Sequence, residues 1–211
     1  MDYSQVIDIT VRMGEDLILY PGDQPPAVRC VSSIAEGAAL TCSEFVMGCH
    51  LGTHVDAPAH FIESGRTVEQ LELRHFYGKA IVAEFPACDR ITEKMAAGVC
   101  VAPGCHVLIK TRNSELLRRK GFEPNYCTLA PEAAERLLES RPLSIGFDYY
   151  SLDPVSAQDF PSHREVARRG LPAFVCLYLE DVPPGEYTFF ALPIRLPEAE
   201  ALPVRAVLFR D

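Results

Sequence analysis

The sequence lacks the features that would place it in several functional classes. No stretch approaches the roughly 18 consecutive apolar residues of a membrane-spanning helix. The opening MDYSQVIDITVRMGEDL has neither the basic n-region nor the apolar core of a secretory signal. The expectation is a cytoplasmic protein with no membrane partner. Positive charge is scarce, with 20 Lys and Arg against 29 Asp and Glu and a formal charge of −9. Nucleic-acid binding is driven by Lys and Arg on phosphate. The densest basic runs, Arg118–Lys120 and Arg168–Arg169, read as solvated helix faces or ends, where cations are favoured, so no nucleic-acid partner is expected. The eight cysteines form no CxxC and no disulfide-scaffold spacing, and in a reducing compartment they are expected to behave as small buried hydrophobes. There is no GxSxG, which removes the serine-nucleophile elbow.

The 211 residues are 48% hydrophobic, enough for a sizeable core, and show no repeat, linker or composition break. Residues 1–211 therefore read as one domain. Runs rich in Val, Ile, Thr and Phe predict strands at Val6–Val11, Ala27–Ser32, Leu40–Met47 and Lys79–Glu84. Further strands are expected at Val107–Lys110, Leu143–Phe147, Ala173–Leu179, Tyr187–Leu196 and Val204–Phe209. Helical signals fall at Thr67–Leu71, Ile91–Ala97, Pro131–Arg141 and Ser162–Arg169, the last ended by Gly170. The class is mixed α/β, richer in strand than helix.

The most specific segment is His50–His60, HLGTHVDAPAH, which holds three of the six histidines. Imidazole and carboxylate bind borderline divalent metals such as Zn²⁺ or Mn²⁺. A helix would turn Asp56 away from His50 and His54. A straight strand would hold those two histidines about 13 Å apart at 3.3 Å per residue, too far to share an ion. A strand bent at Gly52 lets His50, His54 and Asp56 converge as ligands. Pro58 then ends the ladder, and His60 stands at proton-transfer distance. Such a site brings the pKa of a water towards about 7 and polarises a carbonyl, while a nearby imidazole moves protons. The chemistry indicated is hydrolysis of an amide, ester or lactam. His75 and His106 have no such neighbours and read as structural.

At these residues the chain resembles the metal-dependent cyclase/arylformamidase family, whose bacterial kynurenine formamidases carry HxGTHxDxPxH. The match runs through His50, Gly52, Thr53, His54, Asp56, Pro58 and His60. Tyr20–Asp23 (YPGD) resembles the family's Trp-Pro-Gly-Asp turn, and Gly146, Asp148, Ser151 and Asp153 its G-x-D-x-x-S-x-D pattern. The ending LPVRAVLF resembles its terminal strand. The resemblance implies a swivelling β/β/α fold with a central mixed, barrel-like β-sheet, assembled as homodimers or homotetramers. It implies a metal on His50, His54 and Asp56, with His60 transferring the proton. It maps the family's helical histidine onto His163, a second acid/base group or weak ligand. In two-zinc members a downstream glutamate completes a second metal position. Here that position is Val175, which cannot ligate, so one Zn²⁺ or Mn²⁺ ion per chain is expected.

The leading function is thus metal-dependent hydrolysis of a small-molecule amide, formamide or cyclic amide. The alternatives are a metal-dependent lyase or cyclase, or a homologue that binds metal or a small molecule without catalysis. Tyr20 is expected to line the substrate pocket, with Phe45, Phe61 and Tyr149 as candidates for an aromatic wall. Asp23 is placed either to orient a histidine or to form its turn.

Overall fold

The computed structural model describes residues 6–210. Strand β1 (Val6–Asp8) is followed by a two-stranded arm, β2 (Ala27–Ser32) and β3 (Cys42–Val46), and then by β4 (His54–Asp56). Three short 3₁₀ turns lead to β5 (Tyr77–Phe85). Next come β6 (Arg90–Ile91), α1 (Glu93–Ala96), β7 (His106–Thr111), α2 (Asn113–Leu116) and β8 (Thr128–Leu129). Helix α3 (Pro131–Leu138), β9 (Ser144–Phe147), α4 (Pro161–Arg168) and β10 (Ala173–Val175) precede the last strands, β11 (Gly185–Phe190), β12 (Ala201–Pro203) and β13 (Val207–Phe209).

Nine strands form one curled mixed sheet, a half-barrel in the order β1-β13-β11-β5-β7-β9-β10-β4-β12. β5, β7, β9 and β10 run parallel, and their connections carry the helices, as parallel strands require. The central strands are apolar on both faces. On β7, Val107 and Ile109 join the layer under α3 and α4, whereas Leu108 joins the opposite layer with Phe174 and Leu177. Gly146 on β9 is required by this packing: a Cβ there would lie 2.5 Å from Leu108 and 2.6 Å from Leu177. Helix α3 begins with Pro131 at its first turn and buries Ala133, Ala134, Leu137 and Leu138 along one stripe.

Several elements are shorter than their sequence signals. The apolar run from Ala173 to Leu179 is a strand only as far as Val175, because Cys176 takes a positive φ of 53° and turns the chain away from the ladder. Leu177 keeps an isolated bridge to Thr10. The run from Val6 to Val11 stops pairing with β13 at Asp8, and of the run from Val204 to Phe209 only Val207–Phe209 is strand. Tyr187–Leu196 ends at Phe190, and Lys79–Glu84 extends in both directions to Tyr77–Phe85. Helix α3 stops at Leu138, before Arg141 enters the left-handed region. Leu40–Met47 contracts to β3, which pairs only with β2 among the described residues. It therefore does not continue into the main sheet.

The two histidines read as structural are both buried away from the pocket described below. His75 Nδ1 donates to the Leu143 carbonyl at 2.8 Å, and His106 Nδ1 lies 2.7 Å from Ser144 Oγ. His106 is fully buried, and desolvation lowers its pKa from 6.5 to about 4. A base whose folded pKa is depressed contributes stability above its unfolded pKa and loses it as pH falls towards the folded value. Between pH 6.5 and pH 5 this costs about 2 kcal/mol. Asp148 works in the opposite direction, because burial outweighs its four hydrogen bonds and raises its pKa to about 6. The two effects offset each other in the wild type. His106→Gln separates them: in urea titrations its stability penalty relative to wild type should be smaller at pH 5 than at pH 7 by about 2 kcal/mol. An equal penalty at both values would refute this account.

Candidate metal-binding active site

One pocket, of about 200 Å³, is lined by Tyr20, Asp23, His50, His54, Asp56, His60, Phe61, Tyr150, Ser151, Phe160 and His163. It opens where β9 and β10 end and β4 begins, the carboxyl-end position that open α/β sheets favour for ligands. All five residues singled out from the sequence, His50, His54, Asp56, His60 and His163, line it.

The backbone explains how they meet. The chain turns at Gly52, whose φ is 63°, and enters β4 at His54. His54 and Asp56 are two apart on that strand and so share a face. His50 does not lie on the same strand. It occupies the turn before Gly52, which brings its ring centroid to 5.1 Å from that of His54. The expected bent strand is therefore a turn followed by a strand. Pro58 starts a 3₁₀ turn over Pro58–His60, which folds His60 back until its ring centroid is 4.1 Å from that of His50. The loop closes because Gly65 packs against the Pro58 backbone, where a Cβ would approach within 2.4 Å.

Three of the four histidines are oriented by hydrogen bonds. His54 Nδ1 donates to the Gly52 carbonyl at 2.8 Å, leaving Nε2 3.3 Å from Asp56 Oδ1. His50 Nε2 lies 3.1 Å from Glu200 Oε1, and its Nδ1 lies 2.9 Å from Asp56 Oδ1. His163 Nδ1 is 2.7 Å from Asp153 Oδ2. Asp153 also accepts from the backbone N–H groups of Ser162 and His163, and thereby caps α4 in place of Phe160, which has no capping side chain and sits at φ 46°. His163 pulls the Asp153 pKa down against the effect of burial. No side-chain hydrogen bond to His60 appears among the described residues. Its ring is held only by His50 and Phe61, with one edge reaching solvent.

The electrostatics of this group favour a cation. Burial alone would raise the Asp56 pKa, but His54 and His50 hold it well below the usual carboxylate range. Burial opposes charge on His50 as well, yet Asp56 and Glu200 together raise its pKa to about 9. Asp56 Oδ1 is nevertheless buried without a properly directed hydrogen bond. Without a metal, the protonated His50 sets its Nδ1 2.9 Å from that oxygen, and His54 Nε2 lies 3.3 Å from it. A divalent ion would take the place of the His50 proton among the same three donor atoms. The donor set thus fits a divalent metal, and the carboxylate–imidazole arrangement of Glu200 and His50 is typical of metal ligands. Ligand atoms of His50, Asp56 and His60 all lie within 4.8 Å of one another, so His60 is close enough either to join a bound ion or to exchange a proton beside it. Desolvation lowers the His60 pKa from its ordinary value, which keeps the imidazole neutral near pH 7.

The two acidic residues of the Gly146–Asp153 pattern have different tasks. Asp153 orients His163. Asp148, fully buried, accepts from the Thr111 and Ser114 backbones and hydroxyls and ties the end of β9 to α2. Val175 pairs with His54 across β10 and β4, so its side chain lies on the same sheet face beside the pocket. Of the expected aromatic wall only Phe61 and Tyr20 are present. Phe45 is 68% exposed on the arm, and Tyr149 is buried in the core with its hydroxyl on Glu123. Tyr150 and Phe160 take their places. The sequence reading missed these two and Glu200. Phe160 before Pro161 at a helix start was the one local signal; Glu200 lies 150 residues from His50 and had none.

The Cyclase family model matches residues 7–154. The kynurenine formamidase of Paracidovorax citrulli is 32% identical over 207 residues, covering 95% of this chain and 94% of that protein. The kynurenine formamidase of Geobacillus thermodenitrificans is 32% identical over 202 residues, covering 96% of each. A solved structure described as a potential metal-dependent hydrolase with cyclase activity superposes with a TM-score of 0.82 at 28% identity, over 98% of this chain and 99% of that one. With the metal-site motif, the half-barrel sheet and these relatives in agreement, the chain belongs to the Cyclase family.

Proposed function

We propose that this protein is a divalent-metal-dependent hydrolase of a small amide, formamide or cyclic amide. The observation that carries the reading is Asp56 Oδ1, buried without a directed hydrogen bond and faced by His50 Nδ1 and His54 Nε2 at 2.9 and 3.3 Å. His50, His54 and Asp56 would hold the ion, which when bound acidifies water and polarises the substrate carbonyl. His60, beside these ligands and fixed by no side-chain hydrogen bond among the described residues, is free to take a proton from the attacking water and return it to the leaving nitrogen. His163, locked by Asp153, presents its remaining nitrogen as a second donor or acceptor. Tyr20, Phe61, Tyr150 and Phe160 suit a flat aromatic substrate, and a cavity of about 200 Å³ restricts it to a small molecule. Relatives called kynurenine formamidases support the amide substrate class.

Zn²⁺ and Mn²⁺ both suit a His/His/Asp donor set. One ion per chain follows from Val175, which offers no ligand. The test combines metal analysis of the purified protein with turnover of N-formylkynurenine, isatin and simple lactones. About one divalent ion per chain and hydrolysis of a formamide or ring amide are expected. A chain that binds neither Zn²⁺ nor Mn²⁺ would overturn the proposal, and two ions per chain would overturn the single-metal reading.

Eight free cysteines suit a reducing cytoplasm, although only Cys127 and Cys176 are buried as expected and Cys30, Cys42 and Cys100 are exposed; no helix among the described residues is long and apolar enough to cross a membrane. The arm supports assembly with a second copy. Val28, Val31, Ile34, Leu40, Phe45 and Val46 are each 57–75% exposed, an apolar surface that a partner would cover. An isolated two-stranded hairpin is marginal in water, which favours a partner surface over the arm. Light scattering should give a dimer or tetramer, and Phe45→Lys should shift it towards monomer. A wild-type monomer at micromolar concentration would end this reading.

A further inference from the structure

Two of the eight cysteines stand apart from the rest. Half-buried Cys88 lies just after the exposed turn that follows β5, and Cys127 is the fully buried residue before β8. Their Sγ atoms are 3.5 Å apart, and among the described residues no other two cysteine sulfurs approach within bonding contact. We propose that Cys88 and Cys127 form a dithiol that closes reversibly to an intramolecular disulfide when a low-molecular-weight disulfide such as oxidised glutathione is present.

The backbone already meets the requirements of that bond. β6 and β8 pair in parallel with Arg90 opposite Thr128, and Thr128 N–H donates to the Asp89 carbonyl at 3.0 Å. Continuing this register sets Cys127 opposite Asp89, one residue out of step with Cys88. Strands about 4.8 Å apart with a one-residue offset of about 3.3 Å put the two Cα atoms about 6 Å apart, near the preferred disulfide span. Asn113 clamps Cys127 from both sides, accepting from its N–H at 2.7 Å and donating to its carbonyl at 2.9 Å. The adjustment that draws the sulfurs to bonding distance therefore falls on the Cys88 turn, which is open to solvent.

The exchange proceeds in two steps. The Cys88 thiolate attacks one sulfur of oxidised glutathione, forming a mixed disulfide and releasing one glutathione thiolate. Cys127 then loses its proton to solvent, its sulfur attacks Cys88 Sγ, and the second glutathione leaves. Two thiols are oxidised and one external disulfide is reduced to two thiols. Burial, followed by the hydrogen bond from Cys88, raises the Cys127 thiol above its ordinary range, which makes the second step the slower one.

The bond would staple the shelf beneath His163. Next to Cys127, Tyr126 donates its hydroxyl to the Asp153 carbonyl at 2.5 Å. Leu129 N–H donates to Leu152 at 2.8 Å, and the Leu129 carbonyl accepts from Ser162 Oγ at 2.7 Å. The test uses a background with Cys30→Ser, Cys42→Ser and Cys100→Ser, which removes the exposed thiols. It is treated with oxidised glutathione, alkylated, digested and mapped by mass spectrometry. The expected product is a Cys88–Cys127 linked peptide about 2 Da below the sum of its reduced parts. Its formation should raise the thermal midpoint by about 5 °C or more, and dithiothreitol should reverse both. Added Cys88→Ser should abolish the link and the shift together, with Cys127 alkylated only after unfolding. Accumulation of glutathionylated Cys88 beside a free Cys127, or a link from Cys127 to another cysteine, would overturn the proposal.

Discussion

His54→Ala is expected to yield a folded protein that retains no divalent metal and loses at least about 10³-fold in kcat/KM. His54 is 2% exposed, and its orientation is set by the Gly52 carbonyl. Alanine removes one of the two imidazoles facing Asp56 Oδ1, and the lost space opens into the pocket rather than the core. The remaining His50 and Asp56 then form an ion pair between themselves, as their 2.9 Å separation allows, and compete with any cation for the same lone pairs. A catalytic metal supplies several kcal/mol of charge stabilisation, and about 4 kcal/mol corresponds to 10³-fold in rate. Metal analysis after dialysis, thermal melting and turnover of the best substrate check this together. Metal retained at the wild-type level would remove His54 from the ligand set.

His60→Ala is expected to keep its metal and lower kcat by about 10²- to 10⁴-fold, the range for a positioned general acid–base group, with little change in KM. The distinction from His54 rests on hydrogen bonding. Metal-binding histidines almost always donate their second nitrogen to a carboxylate or carbonyl. His50, His54 and His163 each have such a partner in Glu200, Gly52 and Asp153, and His60 does not. Its stacking at 4.1 Å on His50 places it within proton-transfer reach of the ligand shell while leaving the ring free to turn. Exogenous imidazole should restore part of the His60→Ala rate and none of the His54→Ala rate. If His60→Ala also loses its metal, the 4.8 Å cluster of His50, Asp56 and His60 is the true ligand set and a different group moves the proton.

The local parts of this molecule were legible in the sequence to different degrees. Helix α3 and the end of α4 at Gly170 were readable because proline, glycine and the 3.6-residue apolar period act within a few residues. The strand over Ala173–Leu179 was overestimated because composition does not reveal that Cys176 adopts φ 53°, where its carbonyl accepts from Thr53 Oγ1 at 2.5 Å. Leu40–Met47 read as a strand. Its apolar residues in fact lie on an exposed arm, since periodicity reports that a face is apolar and not what covers it.

The same division runs through the site. His50, His54, Asp56 and His60 were found from sequence alone because they fall within eleven residues and their donor chemistry is specific. The orientation of their rings required the tertiary structure. Glu200, Asp153 and Gly52 orient the rings, Val175 faces His54 across two strands, and Tyr20, Tyr150 and Phe160 close the pocket from separate parts of the chain. Sequence by itself determined which donors are present and the class of ion they suit, because those are properties of side chains. Only the fold decided which nitrogen of each imidazole faces the pocket and which histidine is left free. Those choices are made by hydrogen bonds between residues far apart in the chain.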